Sequence, residues 1–406
     1  LKILVITHRP PFPQNGGYPI VIGNTIRGFV AQGHEVSLYS LNPKHHTPHH
    51  TLTDEHDTEL VSRINYKVVP VDISISVGQA IVNIFGRSAS NIERFYSQEF
   101  EQALVQEVKA QAYDIIQFEG LFVGTYVAAL RKASKAKLVY RAHHIEHQVW
   151  QRLAAQKKDP FKRFYLNRIA KRIKRFEVQQ LSRFDAIGVF TDQDKTTMLQ
   201  YGAKPPIEIL PVGVNIEDYH PDLSKVEFPS LFFLGSLDWM PNREGIEWFL
   251  DTFHAELSSD DLRVRFYVAG NDIPERFDDY EVMGRIYIQG EVDDALEFVN
   301  SKAIMIVPLL SGGGMRVKIV EGMAMQKCII STSLGAEGIA YEHGKNILIA
   351  NTHEEFLRYI KRCIADEEYC RTIGRNARHL VEQQHNIAAV TEKLLGFYAQ
   401  VLAAKA

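Results

Sequence analysis

Cysteine is scarce in this chain. Only Cys328, Cys363 and Cys370 occur in 406 residues, an odd number without zinc-ligand spacing. That argues against a disulfide framework, points to a reducing compartment, and gives no sign of a metal site. Net charge is also small: 46 Lys and Arg against 49 Asp and Glu leave −3 at pH 7, which argues against a protein built around a nucleic-acid backbone. Long apolar runs are missing. The opening LKILVITHRP is too short for a signal-peptide core, and no later stretch approaches the ~18–20 consecutive apolar residues of a spanning helix. A cytoplasmic chain with no nucleic-acid partner is the expectation. Short-period repeats and low-complexity tracts are absent too.

The sequence does contain short β-branched runs alternating with helical patterns from end to end. KILVIT, HEVSLYS, YDIIQFE, KLVYRAH and FDAIGVF read as buried parallel strands, with crossover helices such as 22–32 and 97–110 between them. Around IEILPVGVNIEDYHP the pattern pauses, with Pro205, Pro206, Pro211 and Pro221 bracketing a short extended piece that places the linker near 205–222, and the alternation then resumes with LFFLGS, VRFYVAG, IYIQG, AIMIVPLL and CIISTS. Helices are expected at 243–257, 293–301, 315–326 and 353–366. The reading is α/β: two Rossmann-like, doubly wound domains, 1–205 and 206–386, facing a central cleft, with the strand ends as candidates for chemistry.

Those ends are polar. LLSGGGMRVKIVEGMA, 309–324, runs from a strand through a glycine turn into a helix start, where unpaired N–H groups can hold an anion. A helix from Met315 would put Arg316 in its first turn, against the helix dipole at a cost of ~0.3–1 kcal/mol, so an outside anion such as a diphosphate is expected to compensate. Lys318 and Glu321 are three apart and neighbours on the helix surface. Glu321 can accept hydrogen bonds from a pair of sugar hydroxyls; the plainer alternative is a surface Lys–Glu pair. Gly16 and Gly17 lead from the first strand into a helix, again offering backbone donors, although the G-x-G-x-x-G order is missing and a simple turn explains them equally. In KLVYRAHHIEH, His143, His144 and Glu146 fall at a strand end, and Glu119 closes another strand of the same sheet. Two histidines and two carboxylates converging on one edge favour a charge-tuned imidazole.

With these motifs in order, the chain resembles a GT-B glycosyltransferase of the retaining family four. The resemblance runs over nearly the whole length: P-x-x-GG, GHEV, RAHHIEH, LPVGVN, GSLDWMPNREG, GEVDD, GGGMRVKIVEGMA, STSLGAEGI and RNARHLVEQQHN. It implies a nucleotide-diphosphate sugar, with UDP or GDP as base carrier, bound mainly by the second domain, an acceptor bound by the first, and a last helix, 387–406, crossing back onto the first domain. Carried over by position, Glu321 holds the nucleotide ribose and Gly17, with Gly16, lies near the donor phosphates. His143 lies near the reacting sugar, with Glu119, His144 and Glu146 as acceptor or supporting groups. Arg316 and Lys318 contact the diphosphate, and Gly235, Asn242, Gly312, Gly313, Gly314, Met315 and Val317 line the donor site. The family places a basic pair after the second domain's first strand; Asn242 and Arg243 are partial substitutes here. The family's first Glu, with seven residues between it and the ribose Glu, is replaced by Gly313, so backbone amides of Gly312–Gly314 are expected to serve instead.

Breaking a glycosyl–phosphate bond needs the leaving diphosphate neutralised as positive charge builds on the sugar. Arg316, Lys318 and a helix start supply this without a metal or other cofactor. No D-x-D of the metal-dependent kind closes a strand; Asp192 and Asp194 read as a turn and helix start. Retention follows from the resemblance alone. The activity implied is transfer of a sugar to a glycan, lipid-linked or small-molecule acceptor in cell-surface polysaccharide or glycoconjugate assembly. The rivals are a nucleotide-sugar epimerase of the same architecture, disfavoured by Gly313, and a scaffold that binds without turnover. KHHTPHH, 44–50, reads as a solvated loop rather than a metal site. The basic, aromatic stretch 156–176 suits either a helix packed on its own domain or peripheral contact with the inner face of an anionic membrane.

Overall fold

A computed structural model describes residues 1–14, 16–43, 55–74, 89–260 and 262–404; the histidine-rich 44–50 lies outside them. Two compact units emerge, Leu1–Gly213 with Ile387–Ala406, and Val214–Asn386. Each is built on one parallel sheet with helices between its strands.

The first sheet has β1 (Lys2–Thr7), β2 (Glu35–Pro43), β3 (Asn65–Val71), β4 (Ile115–Glu119), β5 (Lys137–Ala142), β6 (Ala186–Val189) and β7 (Ile207–Ile209), in the order β3-β2-β1-β4-β5-β6-β7. Ile3 through Thr7 are all buried, as expected where helices cover both faces and the strand needs no polar alternation. Helix α1 (Gly17–Ala31) turns Ile22, Ile26 and Phe29 inward at one-turn spacing. Helices α2 (Glu146–Gln156) and α3 (Pro160–Leu181) follow β5, and Asp159 caps α3 by accepting from the Phe161 and Lys162 amides. The boundary expected at 205 moves. Ile207–Ile209 pairs in register with β6, so this proline-flanked piece completes the first sheet and the first unit runs on to Gly213.

The second sheet has β8 (Glu227–Leu234), β9 (Arg265–Ala269), β10 (Ile286–Gly290), β11 (Lys302–Val307), β12 (Cys328–Ser331) and β13 (Leu348–Ile349), ordered β10-β9-β8-β11-β12-β13. Numbered within its unit this is 3-2-1-4-5-6, the doubly wound order whose reversal point binds ligands beyond the strands' carboxyl ends. That point lies between β8 and β11; its counterpart in the first sheet lies between β1 and β4. Helix α4 (Met240–Ser258) carries Pro241 in its first turn and buries Ile246, Phe249, Leu250, Phe253 and Leu257. Truncating Phe249 or Phe253 to Ala would cost ~3–5 kcal/mol.

Helix α5 (Val317–Ala324) ends in a tight turn, with Gln326 at φ 54°, that leads into β12. A capping box, Thr352 with Glu355, starts α6 (His353–Ala365), and Asp366 caps α7 (Glu367–Gln384). The last helix, α8 (Ile387–Ala403), belongs to the first unit, where Tyr398 packs 6.2 Å from Phe29. Among the described residues no helix is long and apolar enough to cross a membrane.

Candidate active site

The first unit's reversal point is lined by imidazole and carboxylate. His8 follows β1, Glu119 closes β4, and His143 lies just past β5; the register pairs Thr7 with Glu119 and Glu119 with Arg141, so these ends are level. His143 Nε2 is 2.6 Å from Glu119 Oε2. Glu119 is fully buried, with Arg141 Nη1 3.7 Å from its carboxylate. Gln117, two residues back and so on the same face of β4, donates to Glu119 Oε1 and accepts from Tyr398 Oη. Burial alone would raise the Glu119 carboxyl, but the Arg141 guanidinium and the His143 hydrogen bond hold it below its ordinary value. Burial pushes the His143 imidazole down, and Glu119 restores it only in part. The pair at neutral pH is therefore carboxylate and neutral imidazole. His8 is pushed well down by burial, then by Arg9 and His143; its ring lies 4.4 Å from Tyr18, whose hydroxyl donates to Glu119 O at 3.1 Å.

His144 and Glu146 do not join this group. His144 Nε2 pairs with Glu146 Oε2 at 2.7 Å, and Trp150 Nε1 donates to the other Glu146 oxygen at 3.2 Å. Behind them the buried Glu177 accepts from the Glu146 amide at 3.0 Å and lies 2.5 Å from His147 Nδ1. The expected cluster of four is thus two carboxylate–imidazole pairs, because α2 begins at Glu146 and turns the chain away from the strand ends.

The second unit carries cations and backbone at the same place. Between β11 and α5 the chain turns through Gly312 at φ 101° and Gly314 at φ 77°, a region L side chains rarely adopt. Helix α5 starts at Val317, and Arg316 is its N-cap rather than part of the first turn. The guanidinium folds back: Nη1 donates to Gly313 O, and Cζ sits 5.0 Å over the Trp239 ring. A Cβ on Gly312 would lie 2.8 Å from Arg316 Nη2 and 3.2 Å from Trp239, so glycine is needed for packing as well as for the turn. Lys318 Nζ donates to Asn242 Oδ1 at 2.8 Å and to Leu234 O at 3.2 Å. A Cβ on Gly235 would lie 2.7 Å from that nitrogen. The end of β8, the start of α4 and the first turn of α5 therefore meet at one ammonium, which burial and then Arg316 push down to about 7.

Glu321 Oε1 accepts from Tyr219 Oη at 3.0 Å, and burial raises its carboxyl. Lys318 and Glu321 are thus not a solvated surface pair: each has its own neutral partner. Met315 and Val317 are buried and contribute backbone and packing. Gly16 caps α1, its carbonyl accepting from the Ile20 amide at 3.0 Å, and Gly17 is the first helical residue.

The profile described as Glycosyltransferase Family 4 matches residues 15–218, and that described as Glycosyl transferases group 1 matches 228–366. The chain belongs to glycosyltransferase family 4. Over 398 residues it is 23% identical to an uncharacterised 44.6 kDa protein in the cps region of Klebsiella pneumoniae, covering 95% of this chain and 96% of that one. Sucrose-phosphate synthase from Thermosynechococcus elongatus has the same fold, with a TM-score of 0.73 at 16% identity over 100% of both chains. So does Anabaena Alr3699/HepE, solved in complex with UDP-glucose, with a TM-score of 0.66 at 16% identity over 98% of this chain and 99% of that one. Both units are those of a GT-B glycosyltransferase.

In this family 4 chain the second unit gathers Gly235, Asn242, Lys318 and the Gly312–Arg316 loop at one strand-end edge. The first unit gathers Glu119 and His143. Sequence reasoning missed the partners. Gln117 was legible as the residue two before Glu119 on a strand; Tyr219, Trp239 and Tyr398 had no local signal, since each reaches its partner across at least 70 residues. It also missed Glu244, whose carboxylate accepts from Ser311 Oγ at 3.2 Å and so brings an acid to the loop where position 313 has none.

Proposed function

We propose that this glycosyltransferase moves a sugar from a nucleotide-diphosphate sugar, with retention and without a metal, to a glycan or lipid-linked acceptor in cell-surface polysaccharide assembly. The observation that carries the reading is the second unit's strand-end edge, where Lys318, Arg316 and a glycine turn with a helix start surround one position. Leaving-group charge is neutralised there by an ammonium already stripped of water, worth more than the same charge in solvent. Glu321, oriented by Tyr219, takes the ribose hydroxyls. The UDP-glucose held by Alr3699/HepE supports a uridine donor, and the cps-region relative supports a capsule-type product.

In the first unit, neutral His143, fixed by Glu119, contacts the reacting sugar or acceptor hydroxyl. The acceptor is approached from the cytoplasmic face of the membrane. Phe161, 83% exposed, and Phe164, 63% exposed, stand beside Lys157, Lys158, Lys162 and Arg163 at the start of α3, a composition that suits an anionic lipid surface.

The test incubates purified protein with UDP-, GDP- and ADP-sugars, with and without EDTA, reading thermal shift and released nucleotide diphosphate by mass spectrometry. Stabilisation and slow EDTA-insensitive release by one donor are expected. Glu321→Ala should weaken donor binding by about tenfold to a hundredfold, as loss of a charged hydrogen bond of ~1.5–3 kcal/mol implies. No response to any donor would overturn the assignment.

A further inference from the structure

The three cysteines, unremarkable by spacing, converge in the second unit. Cys328 opens β12, Cys363 lies on α6 and Cys370 on α7, and their sulfurs all lie within 4.8 Å of one another, with Cys328 Sγ 3.7 Å from Cys363 Sγ. All three are buried free thiols. A metal–sulfur bond of ~2.3 Å puts the sulfurs of a planar three-coordinate site ~4 Å apart, so these need shifts well under ~1 Å to close on an ion. No fourth His, Cys, Asp or Glu among the described residues joins the group. That disfavours structural zinc, which takes four ligands in a tetrahedron, and favours a soft ion satisfied by three thiolates. There is also an approach: a cavity of about 20 Å³ is lined by Cys328 and Cys370 together with Lys327, Glu367 and Arg371. Lys302 lines it too, so three cations against one carboxylate there offset part of the negative charge that three thiolates would bring.

We propose that Cys328, Cys363 and Cys370 form a binding site for one copper(I) ion, which ties β12, α6 and α7 together behind the turn that follows α5. Each thiol loses its proton to solvent as its sulfur bonds the ion, so up to three protons are released and no oxidation state changes. The inference is independent of the donor reading, since no residue of the donor edge is a ligand.

The test titrates the anaerobic, fully reduced protein with copper(I) against bathocuproine disulfonate, then records X-ray absorption and thermal unfolding. One ion per chain, three sulfurs at ~2.3 Å and a raised Tm are expected. Cys363→Ser and Cys370→Ser should each weaken retention by about a hundredfold. Fewer than three sulfurs around copper in the wild-type protein, a tetrahedral zinc complex that copper(I) cannot displace, or no retention against the chelator would overturn it. Because the absorption spectrum is taken on wild type, a variant that fails to fold does not decide the matter.

Discussion

The two strand-end edges share one topology and carry opposite chemistry. Each unit reverses its strand order beside its first strand, between β1 and β4 or between β8 and β11. The first places a buried carboxylate there, compensated by Arg141 and His143; the second places a buried ammonium held by an amide oxygen and a carbonyl. In the first, the charges neutralise one another inside the protein. In the second, among the described residues Lys318 has only neutral acceptors at hydrogen-bonding distance, so its charge is left for a ligand to complete. Topology fixes where a site lies and leaves its chemistry to a handful of side chains.

That contrast breaks first at Glu119. Glu119→Ala strands the fully buried Arg141 beside a neutral imidazole, and removing one partner of a buried pair costs ~3–5 kcal/mol. Urea unfolding of the variant should show that loss, while Glu119→Gln, which keeps shape and hydrogen bonds, should lose less. An equal loss in both would mean that packing, not charge, sets the edge. Lys318 sharpens the other half. With its value near 7 in the free protein, a bound diphosphate should raise it, so UDP binding takes up a proton. Affinity should then be greatest below pH 7 and fall as pH rises through about 7 and beyond, by up to about tenfold per pH unit. Calorimetry in buffers of different ionisation enthalpy would show the uptake, and Lys318→Met should abolish both uptake and pH dependence. A flat profile in wild type would show that Lys318 does not meet the diphosphate.

How much of this the sequence discloses depends on range. The strands were legible because each is a short apolar run buried on both faces. Glu119 and His143 were legible because they stop such runs, and Glu321 because it sits on a helix that follows a glycine turn. What escaped is what long-range packing decides. Proline flanks around 205–222 suggested a linker, yet Ile207–Ile209 had a free sheet edge to join. Met315 suggested a helix start, but Gly314 at positive φ defers it to Val317, and Arg316 turns back over Trp239 from 77 residues away. Convergence of the cysteines depends on where α6 and α7 pack, which no spacing rule contains.

The smallest expected effect separates two adjacent residues. His143 is pushed down, burial outweighing Glu119; at His144 burial also lowers, but the Glu146 carboxylate at 2.7 Å wins and the value rises. The signs then oppose. For His143 the unfolded chain binds the proton first as pH falls below ~6.5, so this residue's contribution to stability is lost on acidification. For His144 the folded form holds its proton longer, so its contribution is full below ~6.5 and is lost as pH rises through the raised folded value. Two-dimensional NMR of imidazole resonances should find His143 titrating below the ordinary histidine range and His144 above it. Glu146→Gln should remove the attraction that raises His144 and bring its titration down while leaving that of His143 in place. If the two moved together, a single coupled cluster would replace the two separate pairs, and the division that α2 imposes at Glu146 would fall with them.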